Sequence, residues 1–105
     1  MDPVITARHC DVTSELRQRA SAIVQRVSAF AGRPMETSVV FGAEAGVSTA
    51  EVRLHVAQGD VFIARGEGPD HGTALDRAEE RIRKQLERAV GRTRGARHSA
   101  EMNQV

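Results

Sequence analysis

The chain has 105 residues, of which 40% are hydrophobic and 28% charged, and its formal net charge is +1. This length suits one domain with a single core, while no apolar run approaches a membrane span of roughly 18 residues and no signal segment opens the chain. Cys10 is the only cysteine, which excludes a disulfide framework and a CxxC metal or redox site. We therefore expect a cytoplasmic protein.

The first part of the chain predicts a strand followed by an amphipathic helix. The segment PVITAR (3–8) has the β-branched content of a short strand. Thr13 or Ser14 can cap a helix that Pro34 prevents from continuing. Apolar residues recur along this helix at intervals of four and three, namely Leu16, Ala20, Ile23, Val27 and Phe30. This stripe predicts a helix with one face packed on the core.

The middle of the chain predicts three strands joined by short turns. The segments METSVVFGAE (35–44), TAEVRLHV (49–56) and VFIARGE (61–67) carry the strand signal, and apolar and polar residues alternate most clearly in the second. The turns AGVS and AQGD are too short to hold crossover helices. We therefore expect an antiparallel meander with one buried and one solvent-exposed face.

A second amphipathic helix closes the predicted fold after a break at GPD, where Asp70 can act as the cap. Its apolar residues cluster on one side, namely Leu75, Ala78, Ile82, Leu86 and Ala89. The elements predict an α+β fold of order β-α-β-β-β-α, a two-layer sandwich with two helices on one face of a four-stranded sheet. Residues 1–91 form the predicted domain, and 92–105 a disordered basic and polar tail.

Basic residues concentrate on this closing helix. Residues 77–97 hold eight basic residues against three acidic ones in a chain that is almost neutral. On a helical projection four of them share a narrow sector, roughly 130° from the apolar side; this cation row consists of Arg77, Arg81, Lys84 and Arg88. Because like charges at i, i+4 repel, solubility alone favours interleaved signs. The row predicts a phosphate-binding surface, with an ordinary solvated face as the alternative.

Other chemical signals in the sequence are weak. The glycines of RGEGPDHG have G-x-G-x-x-x-G spacing after an antiparallel strand, which favours an ordinary turn over a dinucleotide-binding one. His9 and Cys10 have no partner pair at metal-ligand spacing, and no nucleophile–base set stands out. We expect no enzyme, catalytic residue, metal, cofactor or small-molecule substrate. Three Phe are barely enough for a core, so RNA would be bound through phosphates rather than by base stacking.

Three blocks of the sequence follow the order and spacing of a known set of motifs. They are ITARHCDVTSELR (5–17), AEVRLHVAQGDVFIARGE (50–67) and DHGTALDRAEERIRKQLER (70–88). They resemble the motifs I-T-G-R-x-x-x-V-T-x-x-L-R, A-x-x-x-I-x-V-x-x-G-x-x-x-x-A and D-M-Y-x-A-I-D…K-L-x-R-Q-L-x-K of the ribosome hibernation promoting factors, or ribosome-associated translation inhibitors. The resemblance spans about residues 4 to 92 and implies a fold related to double-stranded RNA-binding domains. His71 and Gly72 replace the usual Met-Tyr, so we expect a weakened helix start.

The resemblance implies a translation inhibitor that occupies the mRNA and tRNA channel of the small ribosomal subunit and holds ribosomes inactive under stress or in stationary phase. Matching motif positions imply that ribosomal RNA is bound by Arg8, Arg17, Arg26, Arg81, Lys84 and Arg88. Arg77 and Arg92 extend this set by helix geometry alone. Residues 1–91 would be the ribosome-binding domain of a short-type factor, with ribosome dimerisation left to a possible separate partner. A general structured-RNA-binding module and a protein-interaction domain remain as alternatives.

Overall fold

Six elements follow one another in the predicted order. The computed structural model describes residues 3–31, 34–56 and 60–103, with side chains over 3–30, 36–56 and 60–89. The elements are β1 (Val4–Arg8), α1 (Ser14–Ala31), β2 (Pro34–Glu44), β3 (Val47–Val56), β4 (Val61–Gly68) and α2 (His71–Asn103). The β-α-β-β-β-α prediction is confirmed.

The four strands form one mixed sheet of order β1-β2-β3-β4. Because α1 returns the chain across the sheet, β1 and β2 run parallel, while β2–β3 and β3–β4 are antiparallel. The β2–β3 turn has only two central residues, Ala45 and Gly46, and both have positive φ (52° and 79°), as a type I′ hairpin turn requires. The predicted meander is confirmed, although residues 57–59 of its second turn lie outside the described residues.

Both helices cover the same face of the sheet. Strand alternation turns one set of residues completely into the core: Val39, Phe41, Ala50, Val52 and Leu54. Buried residues of the helices pack on them: Ala20, Ile23, Val24, Val27, Ala74, Leu75, Ala78, Ile82 and Leu86. The opposite face has no covering layer among the described residues, and Val4, Val61 and Ile63 are exposed there. The predicted two-layer sandwich is confirmed.

Gly66 brings α2 close to the edge strand β4. A Cβ at this position would lie 2.1 Å from the carbonyl oxygen of Ala74 and 2.6 Å from the amide nitrogen of Ala78, both backbone atoms of α2. Only a residue without a side chain permits this approach. Gly66 therefore sets the distance between helix and strand, and with it the position of every α2 side chain along the β4 edge.

Side-chain caps fix both helix starts. Thr13 Oγ1 accepts a hydrogen bond from the amide of Leu16 (3.1 Å), so Thr13 is the cap of α1. Asp70 Oδ1 accepts one from the amide of Thr73 (2.7 Å), which confirms Asp70 as the cap of α2. The hydrogen bond from Thr73 is the largest cause that lowers the pKa of the Asp70 carboxyl from its ordinary value, since it stabilises the charged form.

His71 supplies a packing contact at the start of α2. Its ring meets Phe41 edge-on, with centroids 5.8 Å apart and planes at 89°, and its Nε2 lies 2.8 Å from the carbonyl oxygen of Gly42. An edge-on aromatic pair is a favourable geometry. The helix begins at His71, and the weakened helix start expected from Gly72 stays a prediction.

The second helix runs further than the predicted domain. Its backbone continues to Asn103, beyond the expected boundary at residue 91. Gly91 and Gly95 each cost a helix only about 1 kcal/mol relative to alanine, and no proline interrupts this segment. Side chains beyond residue 89 lie outside the described residues. The disordered tail over 92–105 stays a prediction.

Candidate nucleic-acid interface

The cation row of α2 lies along the β4 edge of the sheet. Arg77 Nη1 donates a hydrogen bond to the carbonyl oxygen of Glu67 (2.6 Å), and Arg81 Nη1 donates one to that of Arg65. One turn further, Gln85 Nε2 donates to the carbonyl oxygen of Ile63 (2.8 Å). Alternate carbonyls of an edge strand point away from the sheet and lack a strand partner. Arg77, Arg81 and Gln85 therefore form an edge ladder on β4.

The edge ladder changes how the cation row is presented. The projection predicts four cations directed away from the packed side, whereas Arg77 and Arg81 lean back onto β4. The reason is the row of unpaired carbonyls, which attracts guanidinium groups. Both side chains nevertheless remain exposed, and each donates to β4 through Nη1, one of the three nitrogens that carry its five N–H groups. The row is thus anchored at one end and open to an anion at its outer surface.

The other two members of the row lie further out on α2. Lys84 Nζ is 3.2 Å from the Glu80 carboxylate, an i, i+4 ion pair in which both side chains are more than 60% exposed. Such a pair contributes little to stability, so an RNA phosphate can replace the carboxylate at small cost. Arg88 is exposed one turn beyond Lys84. Arg92 belongs to α2, but its side chain lies outside the described residues.

The predicted residues of α1 lie on different sides of that helix. Arg17 Nη1 reaches the carbonyl oxygen of Ile5 on β1 at 3.4 Å, at the opposite edge of the sheet from the cation row. Arg26 instead faces α2, where its Nη2 is 3.0 Å from the Glu79 carboxylate. The two arginines are exposed but do not form one patch with each other.

Ion pairs join the two helices along a seam that the sequence-based prediction did not single out. Arg19 pairs with Asp76, and Glu79 accepts from Arg26 while also lying 3.6 Å from Arg83. A signal for it was present in the sequence, since Arg83 projects into the acidic sector of α2 rather than into the cation row. The seam adds Arg19 and Arg83, both exposed, to the predicted arginines on the outer surface of the helices.

Arg8 lies apart from all the other predicted residues. It is exposed at the end of β1, and it pairs in register with Gly42 of β2. It lines a shallow cleft with the outward-facing Thr49, Glu51 and Arg65 on the open face of the sheet. Arg8 therefore faces away from the helical layer, and a single flat RNA surface cannot contact both Arg8 and the cation row.

The described residues contain no group of three or more His, Cys, Asp or Glu side chains able to hold a metal ion. None of the helices is both long and apolar enough to cross a membrane, as judged over the same part of the chain. The exposed arginine and lysine side chains of the two helices therefore remain the candidate anion-binding groups.

Comparison with known proteins points to one family. Residues 4–94 match the family model described as "Sigma 54 modulation protein / S30EA ribosomal protein". A ribosomal subunit interface protein from Coxiella burnetii superposes with a TM-score of 0.77 at 15% identity, covering 87% of this chain and 99% of that one. The Thermus thermophilus Protein Y N-terminal domain gives 0.72 at 21% identity, with 84% and 98% covered. No curated protein matches in sequence. At these identities the two structures establish the shared fold.

Proposed function

The chain belongs to the Sigma 54 modulation protein / S30EA ribosomal protein family, and on that premise we propose that it binds the small ribosomal subunit and inhibits translation. It would occupy the channel used by mRNA and tRNAs and hold ribosomes inactive under stress or in stationary phase. The names of its structural relatives, a ribosomal subunit interface protein and Protein Y, agree with a ribosomal partner.

One observation carries the proposal: the cation row is exposed and two of its arginines, Arg77 and Arg81, are already oriented. Guanidinium groups make bidentate hydrogen bonds with phosphate oxygens, and their planar fork fixes the geometry. Because β4 carbonyls hold Arg77 and Arg81 at one nitrogen each, these side chains lose less conformational freedom on binding than free surface arginines would. Two arginines held in this way suit the fixed phosphate backbone of folded ribosomal RNA.

The proposed mechanism is binding without chemistry. A body of two helices on a sheet fills space in the channel, so mRNA and tRNA cannot enter while it is bound. The arginines and Lys84 supply affinity through phosphate contacts, and the fold supplies the bulk. No bond is made or broken, and no cofactor is needed for steric inhibition. Release then depends on competition for these phosphate contacts, either by salt ions or by other molecules that bind the same RNA.

Sedimentation with purified small ribosomal subunits tests this function. We expect the protein to pellet with the subunits at low salt and to be released as salt rises. Four phosphate contacts from the cation row give a slope of log Kd on log salt of about 3, since each contributes roughly 0.7–0.9. Equal affinity for any duplex RNA would instead indicate a general RNA-binding module. A chain that binds no RNA would be better explained as a protein-interaction domain.

A further inference from the structure

Phe30 is the exposed aromatic residue of the described structure. The chain has only three aromatic side chains, all Phe. Phe41 is completely buried and Phe62 packs against the core, but Phe30 is 47% exposed. The periodic stripe of α1 predicts Phe30 as a core residue, and this prediction is wrong. It lies at the end of α1, beyond the buried Val27, and about half of its surface is in solvent.

The exposed ring borders a crevice between the end of α1 and the middle of α2. This crevice has a volume of about 270 Å³ and is lined by Arg26, Val27, Phe30, Arg83 and Leu86. Val27 and Leu86 form an apolar floor, since they are only 2% and 1% exposed. The volume is below the range of about 300–1,000 Å³ typical of drug-sized ligands, so the crevice suits one small planar group.

The two arginines at the crevice give it a positive charge. Arg26 and Arg83 share a single carboxylate, that of Glu79, at 3.0 and 3.6 Å. Their side chains are 61% and 54% exposed, whereas the Glu79 side chain is only 16% exposed. The acid therefore lies beneath the cations, which face outward. A ligand entering the crevice meets an aromatic face, an apolar floor and two guanidinium groups.

We propose that this crevice holds one unstacked RNA nucleotide, with its base against the ring of Phe30 and its flanking phosphates on Arg26 and Arg83. The inference rests on the proposed function and adds a single-stranded base to its contacts. Single-stranded nucleotides are recognised by stacking on aromatic side chains combined with arginine contacts to the backbone. This revises the expectation from composition that base stacking plays no part, because the structure leaves one Phe outside the core.

Substitutions at Phe30 test the crevice without removing any charge. Phe30→Leu keeps an apolar side chain but removes the aromatic face, and we expect it to weaken binding to small ribosomal subunits by about 5- to 150-fold. The salt dependence should keep its slope, since no phosphate contact is lost. Phe30→Trp, which keeps an aromatic ring at this position, should bind like the wild type. Thermal midpoints of both variants serve as the folding control.

The same aromatic position offers a direct optical readout. The chain has no Trp or Tyr, so the fluorescence of the Phe30→Trp variant reports on this site alone. A short single-stranded oligoribonucleotide should quench it, while the same strand in a duplex, whose bases are already stacked, should not. Wild-type-like affinity of Phe30→Leu, or unquenched fluorescence with single-stranded RNA, would overturn the crevice and leave the proposed function intact. A wild-type chain that fails to bind subunits would overturn the proposed function instead.

Discussion

Arg81 of α2 donates a hydrogen bond from Nη1 to the main-chain carbonyl of Arg65 in the edge strand β4. The contact gives Arg81 two roles, because the same guanidinium that closes the strand edge is a candidate phosphate ligand. Arg77 repeats the arrangement one turn earlier, at the carbonyl of Glu67. An open strand edge invites pairing with another chain. The edge ladder therefore links the stability of the sheet to the surface proposed for RNA.

Removing the edge ladder should weaken the fold. We expect Arg77→Ala and Arg81→Ala each to lower the free energy of unfolding by about 1 kcal/mol, the net value of one hydrogen bond, and the double variant to self-associate through the exposed edge. Urea unfolding and sedimentation velocity measure the two effects. Lys84→Ala is the control, since the ion pair of Lys84 is with the exposed Glu80 and its loss should change stability little. If the double variant kept the wild-type free energy of unfolding, the edge ladder would not be a stabilising contact.

Gly66 should not tolerate a side chain. Gly66→Ala places a methyl group against the backbone of α2, so the helix must move away from β4, and we expect a loss of about 3 kcal/mol. Gly72→Ala is the matched control, because its Cβ would lie 3.3 Å from two side-chain atoms, Arg19 Nη1 and the cap oxygen Asp70 Oδ1, rather than against backbone. We expect it to change the free energy of unfolding by less than about 1 kcal/mol, because the helix propensity of alanine is offset by the close contact with the cap. Thermal unfolding of the two variants in parallel tests the comparison.

Ala45 occupies a backbone conformation that favours glycine or asparagine. Its φ of 52° is followed by a φ of 79° at Gly46, so the turn places an alanine in the left-handed region. Ala45→Gly should raise the free energy of unfolding by about 1 kcal/mol, and Gly46→Ala should lower it by a similar amount. Chemical denaturation distinguishes the two. A destabilising Ala45→Gly would mean that the loss of chain entropy exceeds the relief of strain.

The Asp70 cap predicts a defined pH dependence. Hydrogen bonding to Thr73 lowers the folded pKa of Asp70 below its ordinary value of 3.8. At acidic pH the unfolded chain therefore binds the proton more readily than the folded one. The stability that the charged Asp70 cap contributes is fully present well above pH 3.8 and is lost as pH falls through the folded pKa. We expect Asp70→Asn, which caps without a charge, to lose less stability than wild type on acidification. Equal losses of unfolding free energy in the wild type and in Asp70→Asn on acidification would contradict this.

Much of the fold could be predicted because each element carries its own periodicity. The alternation of Ala50, Val52 and Leu54 identified the buried face of β3, and the stripe of α2 matched its buried side. Short turns then left the meander as the only arrangement of β2 to β4. These signals are local, so they need no knowledge of how the helices sit on the sheet.

The candidate site was less predictable because it depends on that placement. The contact of Arg81 with β4 exists only because Gly66 lets the helix approach the strand edge. Arg8 was grouped with the helical arginines by motif position, yet strand alternation turns it to the other face of the sheet. Phe30 follows the apolar spacing of α1 but lies past the point where the helix is covered. Each difference arises from tertiary packing, which helical projection does not contain.

Binding of charge-reversed variants to small ribosomal subunits tests the central claim most directly. Lys84→Glu and Arg53→Glu change the net charge equally, and both replace an exposed cation that pairs with one neighbouring acid, but Lys84 is in the cation row and Arg53 is on the open face of the sheet. We predict that Lys84→Glu weakens binding by about 10- to 100-fold and lowers the salt slope by about 1, while Arg53→Glu stays near wild type. Equal losses in the two variants, or none in Lys84→Glu, would contradict an RNA interface on α2.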